Sequence, residues 1–481
     1  YTDQWWSMGI ERFEEGNVLT LLSGPCASNQ QNSVIKAKQA EDDFWMPYDE
    51  AWLNIPPGGI IEKTFYLDTQ LDSNDKEGSS FQAAQYKSIQ LNDPFSLNSF
   101  PTFDEIILDK FEFAKSRWIE NKGFNQFDPQ FEKGPYIVLG WVGQAAALGY
   151  ALQVLAPNLE EQEIPSMVQS SLDMVSTTQF YEQGFYTWYN VEKEVWGERL
   201  WRPMPEWLSQ GQGMFNIANA IRFAQNSQYE TKQWRQFLKE ASDFHSKRIL
   251  SDAWQPKSTN EAFFVAPLCL ADEIFGESKY LEAAKKAGQY YIDRHLSMRE
   301  PYWGGTLDAK CEDKEGAFGA FQAFLYLYEA TNEAIFLEAA QHACDVMLSY
   351  TYIWDVDLPA GRLRDHGFKT RGWTSVSVQN MHLDVYGVLI APFVYKLGQI
   401  KNDDQLKNMA LLMYRSCGQL IDPFGSQGEQ VQQTNYTQDK QDQRPFTSYR
   451  GGYVEDWTVF WITAHFLNAA ALFEEFKSEA H

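Results

Sequence analysis

The sequence predicts a mainly α protein: an (α/α)6 toroid of six helical hairpins, preceded by a short β-rich region. Three observations lead there. From about Thr102 onward, segments that are apolar nearly all round alternate with amphipathic ones, at a period of roughly 50–80 residues. About twelve such segments fit before the chain ends. The connections are unequal. Those leaving the apolar segments are short ("FGESK", "ATNEA"), and those entering them are long and rich in Trp and Tyr.

The first hundred residues have a different texture. "GGIIEKTFYLDTQL" and "SSFQAAQYKSIQL" read as strands bounded by Gly, Ser, Asn and Asp, and "NIPPGG" as a turn. Residues 1–100 are therefore expected to be a β-rich N-terminal region, short for an independent sandwich and so part of one. Residues 101–481 are expected to form the catalytic barrel.

The barrel opens with "PTFDEIILDKFEFAKSRWIE", where Thr102 and Glu105 have capping-box spacing. "YIVLGWVGQAAALGYALQVL" follows, apolar on every side and hence a fully buried helix. "EEQEIPSMVQSSLDMVSTT" is its amphipathic partner. Further apolar segments begin near Glu206, Glu261, Asp313, Trp373 and Glu455, with amphipathic partners from Tyr229, Ser278, Glu333 and Asn402. In such a ring the inner helices run parallel. The long entry loops (178–205, 297–312, 354–372 and 421–453) then gather at one end and build a cleft.

Composition narrows the function. With 481 residues and 44% hydrophobic content, the chain can bury a large core. A net charge of −25 repels nucleic acid and anionic membranes. No apolar run reaches about eighteen residues, so no membrane span is expected. Cys26, Cys269, Cys311, Cys344 and Cys417 form no CxxC pair. They read as buried thiols, mildly favouring a reducing compartment. The chain begins at Tyr1 rather than Met, which leaves room for a removed export signal or more. The cytoplasm or the periplasm fits; an oligomer stays open. No GxGxxG after a strand, P-loop, HExxH or GxSxG is present, and the seven His lack ligand spacing. No cofactor and no metal is expected, with carboxylate-ligated calcium left open. Aromatic residues make up 15% of the chain, including 17 Trp, which suits stacking on sugars as well as a large core.

Four clusters carry candidate chemistry. In "DHGFKTRGWTSVSVQNMHLDVYG", a helix starting near Trp373 would put Ser375, Gln379, His382 and Tyr386 on one polar stripe, with His366 and Arg371 at its mouth. An inner helix has no solvent face, so the stripe must line a cavity or join a core network. In "WGGTLDAKCEDKEGAFGAFQAF", Trp303 lies in a tight loop, and Glu312, Asp313 and Glu315 cluster at a helix start. They are general acid or base candidates there, or simple caps. In "RPFTSYRGGYVEDWTVFWITAHF", Tyr449, Arg450, Tyr453, Glu455, Asp456 and Trp457 open the last inner helix, and Arg450 suits a carboxylate. In "WGERLWRPMPEWLSQGQGMFN", Arg202, Glu206, Trp207 and Gln212 enter an inner helix. Glu261 reads as the closing residue of a capping box, Ser258-Thr259-Asn260-Glu261.

A β-rich region followed by six hairpins, with Trp, His, Arg and carboxylates at the inner-helix starts, resembles bacterial glycan-degrading enzymes of the six-hairpin type. The resemblance covers Thr102 to the end. It is greatest to uronic-acid-processing members: β-glucuronidases, unsaturated glucuronyl hydrolases and the polysaccharide lyases that share the barrel. It implies a carbohydrate-active enzyme with an oligosaccharide or polysaccharide substrate, expected to be acidic, and it assigns no catalytic residue. The first expectation is an exo-acting glycoside hydrolase. It would use Glu312 or Asp313 opposite Glu455, Asp456 or Glu206, with Arg371 or Arg450 holding the uronate. The second is a lyase, with His382 as base and Tyr386 or Tyr449 as acid. The third is a non-catalytic glycan-binding or inactive relative.

Overall fold

The computed structural model describes residues 6–23, 31–35, 43–47, 56–60, 62, 79–126, 134–140, 145–197, 206–226, 229–256, 259–295, 314–356, 365–375, 383–420, 430–431 and 460–479. Two antiparallel hairpins come first: β1 (Trp6–Phe13) with β2 (Gly16–Ser23), and β3 (Gln31–Ile35) with β4 (Asp43–Pro47). Helix α1 (Ser79–Asn92) follows. This corrects the expectation of a strand in "SSFQAAQYKSIQL". The segment is rich in helix-forming Ala, Gln and Lys, and one side of it has a helix to pack on. Tyr86 reaches across from it to donate to Asp403 (2.5 Å).

The helices of the ring then appear in order. They are α2 (Phe103–Ser116), α3 (Ala145–Leu159), α4 (Ile164–Val175), α5 (Trp207–Phe223), α6 (Lys232–Leu250), α7 (Val265–Phe275), α8 (Lys279–His295), α9 (Lys314–Thr331), α10 (Ala334–Leu348), α11 (Gly387–Lys401), α12 (Asp404–Cys417) and α13 (Phe460–Glu479). Inner helices α3, α5, α7, α9, α11 and α13 each pack on the next, and α13 packs back on α3, closing the ring. Their partners α4, α6, α8, α10 and α12 lie outside, and α2 serves as the outer partner of α13. The toroid read from the alternation is thus present. The first apolar run is divided, however: Tyr136–Val138 is a strand, and the helix begins only at Ala145.

Local chemistry sets the ends. At α2 the capping box is real: Glu105 N–H donates to Thr102 Oγ1 (3.3 Å), and Thr102 N–H donates to the Glu105 carboxylate (2.7 Å). Four inner helices end on a left-handed residue, namely Glu160, Gly276, Asn332 and Asn402. Each reverses the chain within a few residues into the outer helix, which is why these exits are short. At Gly276 (φ 67°) that conformation carries no side-chain strain.

The axis of the ring is filled. Phe215 of α5 lies 6.1 Å, centroid to centroid, from Phe393 of α11, the helix directly opposite, and 5.3 Å from Tyr326 of α9. Phe318 and Phe476 close around Phe393 at 5.4 and 6.0 Å. Beyond this aromatic plug, near the inner-helix C-termini, charges interlock. Arg222 bonds Glu273 (3.1 Å) and Glu475 (3.4 Å), Tyr150 donates to Glu475, and Lys396 pairs with Glu329 (2.6 Å). Cations there also meet the negative ends of the helix dipoles. Among the described residues, the plug and this network fill the axis and its C-terminal end, and the entry segments lead into the inner-helix N-termini.

Candidate functional site

The entry segments carry short hairpins rather than bare loop. Strands β5 (Trp118–Ile119) and β6 (Gly123–Phe124) pair, as do β8 (Phe180–Tyr181) and β9 (Gly184–Phe185). Strand β7 (Tyr136–Val138) pairs with β10 (Trp188–Asn190), which pairs with β11 (Val195–Trp196). Strand β12 (Thr374–Ser375) pairs with β13 (Leu383–Asp384), and β13 with β14 (Gln430–Val431). Backbone density at the mouth is high. Gly140 (φ +81°) approaches Ser209 at the start of α5 so closely that a Cβ would sit 2.1 Å from the Ser209 carbonyl oxygen.

Two carboxylates stand at adjoining hairpins of the mouth. Glu206 precedes α5, is nearly buried, and accepts from Thr187 Oγ1 (2.8 Å) and from the indole N–H of Trp188 (3.1 Å). Glu261 lies in the short helical turn Thr259–Phe264 before α7. It accepts from Trp254 Nε1 (2.8 Å) and pairs with Arg248 Nη1 (2.5 Å). Ser258, the first residue of the expected capping box, lies outside the described residues; the Glu261 carboxylate meets the end of α6.

An aromatic enclosure joins them. The Arg248 guanidinium lies 4.2 Å over the Trp207 ring and 5.3 Å from Phe264. One turn earlier, His245 stacks on Phe264 at 3.9 Å. Gln210 donates its amide to the Gln183 carbonyl (3.3 Å), so its Oε1 accepts from His245 Nε2 (2.9 Å). His245 accordingly carries its proton on Nε2. Burial, reinforced by the Arg248 charge, holds its pKa well below the usual histidine value. On α13, burial alone lowers His465 to about 3.

Across the mouth, Lys314 at the start of α9 forms an ion pair with Asp384 of β13 (2.8 Å), both side chains essentially without solvent contact. Asp384 also accepts from the Tyr386 N–H (2.7 Å), and Lys314 lies 4.9 Å over the Tyr386 ring. This pair fixes the α11 entry segment to the α9 entry.

Of the residues singled out in the sequence, Glu206, Trp207 and Gln212 meet at the α5 entry. Tyr386 immediately precedes α11 and is buried. The helix expected from Trp373 is corrected: Thr374–Ser375 and Leu383–Asp384 are paired strands, and the helix starts at Gly387. Of the expected stripe, Ser375 lies in a strand and Tyr386 just before α11, while Gln379 and His382 lie outside the described residues. Trp373 is wholly buried and donates to the Ser416 carbonyl (3.0 Å), a core role rather than a sugar-stacking one. Arg371 is likewise committed: it pairs with Asp355 (2.5 Å) and donates to Ser96 O (3.1 Å) and Ser99 Oγ (3.4 Å), clamping the segment before α2. His366 is an exposed turn residue. Glu312, Asp313, His382, Glu455, Arg202, Trp303, Gln379, Tyr449, Arg450 and Trp457 lie outside the described residues. Sequence reasoning passed over His245, Arg248, Lys314 and Asp384. A Lys at the start of an otherwise apolar inner helix was the visible signal for one of them. Among the described residues, no cluster of three His, Cys, Asp or Glu could hold a metal ion, and no helix is long and apolar enough to cross a membrane.

No family model and no curated protein matches the sequence. Solved structures do match the fold. A D-mannose isomerase aligns with a TM-score of 0.55 at 11% identity, over 78% of this chain and 100% of that one. The cellobiose 2-epimerase of Spirochaeta thermophila aligns at 0.50 and 10% identity, over 84% of this chain and 100% of that one. An unsaturated glucuronyl hydrolase specific for heparin aligns at 0.45 and 12% identity, over 83% and 99%. At these identities the likeness is one of fold, and the fold that this chain shares with the isomerase and the epimerase is the (α/α)6 toroid.

Proposed function

We propose that the chain is a carbohydrate-active enzyme whose site is the mouth of the toroid, and that it acts as an exo-glycoside hydrolase on uronic-acid-containing oligosaccharides. The observation that supports this best is the pair of sheltered carboxylates, Glu206 and Glu261. They come from adjoining hairpins and are each held by an indole N–H among aromatic side chains. Glycoside hydrolysis uses one carboxyl group to protonate the leaving oxygen and a second to activate water or attack the sugar. Glu312, Asp313 and Glu455 are further candidates for those roles, because their sequence positions adjoin inner-helix starts at the same end. The plugged axis favours attack at chain ends.

The test is incubation with aryl β-D-glucuronides and with uronate oligosaccharides, following released aglycone and absorbance near 235 nm. Release that is lost in Glu206→Gln or Asp313→Asn supports the hydrolase. Absorbance at 235 nm without hydrolysis would instead identify a lyase, and binding without turnover a non-catalytic relative. A second reading, sugar isomerase or epimerase, is favoured by the neutral His245 with its lone pair on Nδ1, suited to moving a proton at carbon. Deuterium uptake from D2O into mannose or cellobiose would select it.

A further inference from the structure

The polar atoms around Trp207 and Phe264 do not all have partners. Arg248 spends Nη1 on Glu261, but its Nε and Nη2 are buried and bonded to nothing. These two N–H groups form one edge of the guanidinium, the parallel fork that matches a carboxylate. His245, three residues earlier on α6, has a buried, unpartnered Nδ1 lone pair. The imidazole and the guanidinium share the enclosure made by Trp207 and Phe264. Leaving two donors of a cation dry is unfavourable, the more so because the group is charged. Such a cost is maintained where an incoming acceptor removes it. Arg248 and Trp207 are both only partly covered, at the end of α6 and the start of α5.

We propose that the Nε/Nη2 edge of Arg248 is the carboxylate-binding subsite for an acidic sugar, with His245 Nδ1 accepting a hydroxyl of the same residue and Trp207 bordering it. This rests on the carbohydrate reading above and deepens it. It gives the uronate-holding role to a residue other than Arg371, whose two terminal nitrogens are already engaged. The chain carries a net charge of −25, so the overall field opposes a uronate and a local cation with unpaired donors is needed to hold one. Glu261 holds the guanidinium in place by its third nitrogen and leaves the fork free.

The experiment is calorimetric titration of the whole chain with D-glucuronate, D-galacturonate, D-glucose and D-galactose. It is paired with the 15N–1H resonance of the Arg248 Nε–H. One of the two uronates is expected to bind about 10- to 100-fold more tightly than its neutral counterpart, the range of one or two charge-assisted hydrogen bonds. The Nε–H resonance should move with the same saturation curve. Arg248→Lys keeps the charge and removes the fork, so the acid preference should fall by about tenfold or more. The double variant R248Q/E261Q removes both charges together, so folding is preserved while the preference disappears. Equal binding of acids and neutral sugars, or an acid preference that survives R248K, overturns the subsite and leaves the carbohydrate reading standing. Binding of no sugar at all overturns both.

Discussion

Asp384→Asn is expected to destabilise the protein by about 3 kcal/mol, through the charge it strands rather than the contact it removes. Lys314 and Asp384 are 2.8 Å apart with side-chain exposures of 0% and 2%. Breaking a pair buried this deeply from one side costs on the order of 3–5 kcal/mol, because the surviving ion stays desolvated. Two features place Asp384→Asn at the low end. The new side chain can still accept from the Tyr386 N–H, and Lys314 keeps its place over the Tyr386 ring, worth up to about 2 kcal/mol when dry. Lys314→Met has no such relief, since the Asp384 carboxylate then keeps far less compensation, and about 4–5 kcal/mol is expected. The double variant Lys314→Met/Asp384→Leu should lose much less than the sum. Urea unfolding monitored by Trp fluorescence reads this well, because Trp373 adjoins the β12 strand paired with Asp384. Both single losses below about 1 kcal/mol, with a coupling that vanishes in high salt, would mean that the pair is solvated and the reasoning wrong.

Three other outcomes follow from the packing. Gly140→Ala combines a positive φ with a Cβ 2.1 Å from the Ser209 carbonyl, so it should cost more than about 2 kcal/mol by thermal denaturation and lower any activity. Trp188→Phe removes the indole donor to Glu206. It should reduce kcat/KM more than it reduces stability, where about 1–2 kcal/mol is expected. Asp345 is raised to about 7, chiefly by burial, far above an unfolded carboxylate. The folded state therefore holds this proton more tightly, and its contribution to stability declines as pH rises from about 4 to 7. Asp345→Asn should stabilise the protein at pH 8 and do little at pH 4, and equal effects at the two pH values would contradict the assignment.

The ring was legible because its information is periodic. All-round apolar stretches such as "VAPLCLA" are buried on every side, and only a closed arrangement buries six of them. The short exits were legible too, since Gly276, Asn332 and Asn402 are the residue types that tolerate a left-handed turn. The entry segments were not. Around Trp373, positions spaced for a helix also spelled "TSVSV", an alternation with β-branched residues at every second position, and strand pairing to Asp384 prevailed. The mouth chemistry was partly hidden for a similar reason. Arg248 ends an ordinary amphipathic helix, and Glu261 sits where a cap is expected, so each had a cheaper local explanation. Their meeting across thirteen residues is a product of the hairpin and leaves no mark in either segment alone.

The contact of Phe215 with Phe393 has a consequence for traffic. Opposite walls of the ring touch, so the axis is closed there. On the function proposed above, reactant and product would share one vestibule at the mouth, and departure of the first molecule would gate arrival of the next. A long polymer can offer only its tip. Any processive mode would require the chain to be withdrawn and re-presented after every event, which makes release from the vestibule a natural bottleneck.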